Sequence, residues 1–321
     1  MTPFEPYESL AISEIAKHEC SPNPIQSALE LVGKPIAKVL EVAHQSKNKY
    51  IRKAVSSIDT TIEKSLKATI KGANLLTGED VVRKAYMKKH NIQITDINTV
   101  KQLPLQQMDS VADSFDFSNG FFVTTEGAVL GAATTLLEAV PLAQIAIPAV
   151  VTADVAASMT LMSRHVCQIA TSYGYSSRDA ANVPHILSAM VSTSSSSDEG
   201  FLVTKAAAIS EIRAATHFAA NHAGSLSGSV VKDSVSPQLV KLVQFVTERL
   251  GMIITEKELG MLVPIAGAVL NGGLNLAFQQ MNHTNAKDYF RRLILTDKYG
   301  EDAVTAAIQL EKDKLNARTA I

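Results

Sequence analysis

Two stretches of this chain are almost free of charge, and they restrict the fold more than anything else in it. Between Phe121 and Ser163 the only ionisable acids or bases of the Asp, Glu, Lys and Arg kind are Glu126, Glu138 and Asp154. From Leu259 to Ala286 there is none. Both stretches are rich in Gly and Ala, as in GAVLGAATTLLEAV and PIAGAVLNGGLNLAF. Small residues let helix backbones approach closely, in lipid or in a dry core. The second stretch is close to the ~20 residues that span a bilayer. Neither is a clean spanning helix, because Glu138, Asp154, Pro141 and Pro148 interrupt the first and Asn271, Asn275, Gln279 and Gln280 load the second with amides.

The remainder reads as helix. Ile51, Val55, Ile58, Ile62, Leu66 and Ile70 recur at steps of three and four. At 100° per residue they cover an arc of about 120°. Lys49, Arg52, Lys53, Lys64, Lys67 and Lys71 fall on the rest of the surface, which makes this a basic amphipathic helix ending at Gly72 or Gly78. Further helices are expected around Ser9–His18, from Pro24 to Ala43 with a kink at Pro35, over Val81–His90 and over Leu105–Phe115. Two more are expected through the first apolar stretch, the second running to Ser172 with Gly174 as its left-handed cap. Later ones cover Phe201–Ala220, Pro237–Leu250, Ala286–Gly300 and Glu301–Leu315. Residues 91–105 read as a loop with a short extended piece at Ile92–Thr95. Ser192–Ser197 and Gly224–Ser229 read as a loop tip and a linker.

The expected fold class is therefore all-α: a multi-helix bundle around two central Gly/Ala-rich apolar segments. Aromatics at 5% and the absence of Trp agree, since Leu, Ile, Val and Ala must then fill the core. A division is expected between basic amphipathic helices in residues 1–100 and a helical core in 101–321, joined as one integrated domain.

Charge is segregated along the chain although it nearly cancels overall, at −1. Lys34 to Lys89 holds 13 basic and 5 acidic residues, and His90 to Ser163 holds 1 basic and 7 acidic. A chain without net positive charge has no field that selects nucleic acid. The basic amphipathic helix has two readings: a solvated face on a core helix, or a surface that docks on anionic lipid head groups. Mean hydropathy of +0.10 lies between that of a soluble and an integral protein. Only Cys20 and Cys167 are present, so a disulfide framework is not expected, and the N-terminal residues lack a secretory pattern. Cytoplasm, with peripheral contact on the inner membrane face, is the expected address.

Motifs of catalysis are missing. There is no P-loop and no G-x-G-x-x-G, and Gly224–Gly228 has Leu226 where a hydrolase elbow needs Ser. His217 and His222 are five apart, and His165 and Cys167 two apart, so neither pair shares a helical face as metal ligands at i, i+4 would. No metal or other cofactor is expected. The unusual polar groups are Glu138, Asp154, Asn271 and Asn275, which sit where a core wants hydrocarbon and must find partners or water. Arg164 is the nearest cation to Asp154 in sequence, but ten residues of helix put it about 15 Å away.

The run GAVLGAATTL, then Asp154, Arg164, Ile169, Ala170 and Tyr173-Gly174-Tyr175, resembles the central signature of EcsC-type proteins. Val263, Pro264, Gly267, Ala268, Gly272 and Asn275, followed by Ala286, Phe290 and Arg291 ahead of Tyr299-Gly300, resemble that family's second block. Together they cover about Gly120 to Gly300. Ser176 departs from the acid expected after Tyr-Gly-Tyr, and Pro148 from the helix ahead of Asp154. The resemblance implies a bacterial, cytoplasm-facing helical protein linked to membranes or export, since the family's name comes from a protein encoded beside an ABC-type exporter. It supplies no reaction. Three roles are open: a non-catalytic, lipid-contacting protein of the envelope or export system, with a transporter as a possible partner; a soluble accessory protein with a tight helical core; and a lipid-directed hydrolase using Asp154 and Arg164.

Overall fold

In the computed structural model, residues 4–21, 49–76, 79–116, 147–191, 214, 215, 217, 237–262 and 267–319 are described. Every regular element among them is helical. The α-helices are α1 (Pro6–Cys20), α2 (Lys49–Leu76), α3 (Glu79–His90), α4 (Leu105–Asp113), α5 (Ile147–Ser172), α6 (Val183–Ala189), α7 (Pro237–Leu262), α8 (Gly267–Tyr299) and α9 (Glu301–Thr319). Short 3-10 turns stand at Ile97–Gln102 and Ala180–Asn182. The all-α class read from the sequence is the class of this fold.

Helix α5 is the axis of the bundle and packs against α2, α3, α4, α6 and α8. Its apolar residues explain why: Val151, Val155, Met159, Met162 and Val166 recur on one side and are buried. The opposing stripe on α2 is Ala54, Ile58, Ile62 and Leu66, also buried. Two hydroxyl pairs pin the register of this contact. Ser57 meets Thr152 at 3.1 Å, and Thr69 meets Ser163 at 2.8 Å. Contacts advance together along both chains, so α2 and α5 run parallel. The pair Tyr173 and Phe290, stacked at 6.1 Å, and the pair His165 and His283 show the same direction for α5 and α8.

The chain ends are joined. Helix α1 packs on α9, burying Ala11, Ile12 and Ile15 on one side and Val304 and Ile308 on the other. Pro6 opens α1 behind a capping box in which Glu5 and Glu8 satisfy each other's backbone amides. Glu8 then reaches Lys298, and Glu19 reaches both Lys312 and Arg292.

Several boundaries differ from the sequence expectation for identifiable reasons. Of the two ends offered for α2, Gly72 and Gly78, the helix passes the first and runs to Leu76, because packing of its apolar side outweighs the ~1 kcal/mol cost of one interior glycine. The segment expected as a loop holds the turn Ile97–Gln102, started by Asp96, whose side chain accepts from the Asn98 amide at 3.0 Å. The second apolar stretch and the amphipathic segment after it belong mostly to one helix, α8, since no proline falls between Gly267 and Tyr299. Gly174 does cap α5, with φ at 84° and the Tyr175 amide donating back to the Ala170 carbonyl. Among the described residues no helix is long and apolar enough to cross a membrane. The expected helices at Pro24–Ala43 and in the first apolar stretch ahead of Ile147, the Ser192–Ser197 and Gly224–Ser229 loops, and most of Phe201–Ala220 lie outside the described residues.

Candidate functional site

Asp154 is answered from another helix. Its carboxylate accepts from Lys257 of α7 at 2.8 Å, and the same ammonium donates to Ser158, one turn further along α5, at 2.8 Å. Glu258 stands 3.1 Å from the ammonium, and the Phe278 ring lies 5.4 Å from it. Lys257 is wholly buried and Glu258 nearly so. Burial opposes ionisation of Asp154, but Lys257 and Glu258 outweigh it and hold the carboxyl below its ordinary range. Burial likewise opposes the charged Lys257, yet Glu258 and Asp154 keep it protonated. Glu258 goes the other way: burial drives its pKa well above the usual value despite Lys257. The cluster is therefore an Asp154–Lys257 ion pair with a third group, Glu258, whose charged form burial disfavours. With its charges paired and water excluded, it clamps α5 to α7.

A second buried network joins Tyr173 to Arg291. Asp109 of α4 is fully buried and accepts from four donors. Tyr173 donates to one oxygen; Tyr7 at 2.7 Å and Arg291 Nε and Nη2 at 2.9 and 2.6 Å donate to the other. Arg291 also reaches Glu14 at 2.8 Å and Asp288 at 3.4 Å, and Asp288 meets His18 Nδ1 at 2.6 Å. Helices α1, α4 and α8 and the end of α5 thus meet on one carboxylate. Burial and the charge of Asp109 push the Tyr173 hydroxyl far above its ordinary pKa, so it remains a donor. Burial works against the Arg291 charge, but Asp109 outweighs it and secures the guanidinium.

Tyr175, the other tyrosine of the signature, donates to Asp297 at 3.2 Å and holds Lys101 over its ring at 3.8 Å. Ser176, which stands where an acid is expected, donates at 2.5 Å to the carboxylate of Glu79 from α3. Arg83 reaches that same carboxylate at 3.1 Å. An acid is thus present at this point of the fold, supplied by another helix.

The basic residues of α2 lie outside. Lys49, Arg52, Lys53, Lys64 and Lys67 are exposed, and Lys67 pairs with Glu63 on the same helix. Among the described side chains of α2, Ala54, Ile58, Ile62 and Leu66 are buried, and the helix packs on α5 and α7. On α3, Val81 and Met87 are exposed large apolar side chains, with Lys84 and Lys88 exposed on the same short helix. Arg164 is exposed whereas Asp154 is buried with Lys257, so the pair considered for hydrolysis is not brought together. Glu138 and the side chains of Lys71, Asn271 and Asn275 lie outside the described residues.

Sequence reasoning missed Lys257, Glu258 and Asp109. The first two sit just ahead of the charge-free stretch, in the run ITEKELGML. Charged triplets of this kind ordinarily mark a solvated turn; the signal available was their position in the middle of a helical apolar pattern.

In comparison with known proteins, the model of the EcsC protein family matches residues 11–294. Neither a curated protein nor a solved structure matches the chain.

Proposed function

The chain belongs to the EcsC family, and from that premise we propose that it is a peripheral, lipid-contacting helical protein of the bacterial envelope or export system, acting by contact rather than by catalysis. The observation that carries this reading is the division of α2. Its apolar side is locked into the core, and Lys49, Arg52, Lys53 and Lys64 face outward. An anionic leaflet attracts each such residue near its surface by about 1 kcal/mol. Attraction of this kind is electrostatic and stops at the head groups, since Ile58, Ile62 and Leu66 of α2 are buried in the core. Val81 and Met87 of α3, beside Lys84 and Lys88, add a small apolar contact of the depth at which lysine stems snorkel. The place of action is the cytoplasmic face of the membrane, where a transporter is a candidate partner.

A second reading, a soluble accessory protein, is favoured by a different observation. The parts of the two apolar stretches whose side chains are described, from Val151 to Met162 and from Leu274 to Ala286, put their large apolar residues mainly into the protein's own core. Flotation of the full chain with vesicles separates the two. Reversing Lys49, Arg52, Lys53 and Lys64 to Glu abolishes flotation under the first reading and changes nothing under the second.

A further inference from the structure

Asp116, His165 and His283 come from three separate segments and converge. Asp116 lies just past α4, His165 in the middle of α5 and His283 in the middle of α8. His165 Nε2 is 3.1 Å from His283 Nδ1, and an Asp116 oxygen is 3.9 Å from that same Nδ1. One ligand atom from each falls within 4.8 Å of the other two. A tetrahedral ion bound through nitrogen and oxygen at about 2.0–2.1 Å sets its ligand atoms about 3.3 Å apart. The observed spacings need only small side-chain rotations to reach that value. Both imidazoles are buried, and the carboxylate is half-exposed.

The outer shell is that of a metal-binding histidine. His283 Nε2 lies 3.2 Å from Asp113, and Asp113 in turn holds Lys287 at 2.5 Å. An imidazole that donates to a carboxylate on one side presents a lone pair on the other. Here that other side is Nδ1, which faces His165 and Asp116.

We propose that Asp116, His165 and His283 bind one divalent transition-metal ion of the zinc class, with water completing the shell on the Asp116 side. Two imidazoles and one carboxylate are borderline ligands that suit such an ion better than magnesium or calcium, which prefer oxygen alone. The bound ion ties the end of α4 to α5 and α8, beside the buried Asp109 network.

Metal-stripped full-length protein titrated with Co2+, as a spectroscopic substitute for Zn2+, tests this. One equivalent is expected to bind with visible d–d absorption, and stoichiometric Zn2+ is expected to displace it. His283→Gln and Asp116→Asn should each weaken Co2+ binding ~10-fold or more, whereas His90→Gln, at a histidine away from the cluster, should leave it unchanged. If His283→Gln loses its helical circular dichroism, Asp116→Asn at the half-exposed position decides. Absence of stoichiometric Co2+ binding, or binding that both variants retain at full strength, would overturn the proposal and leave a hydrogen-bonded histidine pair.

Discussion

Tyr173 and Arg291 close on the same carboxylate from opposite sides, Tyr173 on one oxygen of Asp109 and Arg291 on the other. Each belongs to a different block of the family signature, so the two blocks are parts of one buried network. Removing one partner strands another. Arg291→Met is expected to destabilise the fold by about 3–5 kcal/mol, because Asp109 then stays buried with only phenols to answer its charge. Tyr173→Phe removes one hydrogen bond and should cost about 1–3 kcal/mol. Urea unfolding of the two variants checks the order, and an Arg291→Met cost no larger than that of Tyr173→Phe would remove Asp109 from the centre of the network.

The Asp154–Lys257–Glu258 cluster gives a pH signature with a definite sign. Burial raises the Glu258 pKa in the folded state above that of the unfolded chain. Its contribution is thus fully present below the unfolded carboxylate pKa and is lost as pH rises toward the raised folded value. Asp154, with its depressed pKa, contributes above the ordinary carboxylate range and loses its contribution only as pH falls below it. Glu258→Gln keeps a neutral side chain at every pH. The stability of this variant relative to wild type should therefore improve between about pH 5 and about pH 8, by up to ~1.4 kcal/mol per unit. Paired denaturation curves at the two pH values measure it; a constant difference would mean that Glu258 is ionised in the folded protein.

Lys257→Met leaves Asp154 charged and unpaired in the core and should cost about 3–5 kcal/mol. The double variant Asp154→Asn with Lys257→Met removes both charges and should recover part of that loss. Thermal unfolding of the single and double variants reads the coupling, and strictly additive costs would contradict a direct pair.

Two glycines share a left-handed backbone but differ in surroundings. Gly174 has φ at 84°, and a Cβ there would stand 2.6 Å from Lys101 Cγ and 3.1 Å from the Lys101 backbone nitrogen. Gly300 has φ at 87° and nothing within 4 Å of that position. Gly300→Ala should cost only backbone strain, about 1–2 kcal/mol. Gly174→Ala adds a clash with backbone and should cost more. Equal melting temperatures for the two variants would show that the Lys101 segment moves freely.

Much of this architecture is legible in the sequence wherever one helix carries the whole signal. The stripe Ile58, Ile62 and Leu66 announces the buried side of α2, and the glycine after Ser172 and Tyr173 announces the end of α5. Partners on different helices are not legible in this way. The cation that answers Asp154 is Lys257, 103 positions along the chain. The ring that His165 meets, His283, is 118 positions away. Tyr173 and Arg291 could be recognised as signature residues; the signal for Asp109 was weaker, an acid spaced four residues after Leu105 and three before Ala112 on the apolar side of a short helix.

Peripheral docking through the outward basic side of α2 is tested most directly by flotation of the full-length protein with vesicles. Neutral phosphatidylcholine vesicles are compared with vesicles containing an anionic phospholipid, at low and at high salt. Docking by head-group electrostatics gives flotation with anionic vesicles alone, lost at high salt as screening removes the attraction, and lost also when Lys49, Arg52, Lys53 and Lys64 are reversed to Glu. Absence of flotation with anionic vesicles at low salt, or flotation that ignores both salt and charge reversal, would contradict it.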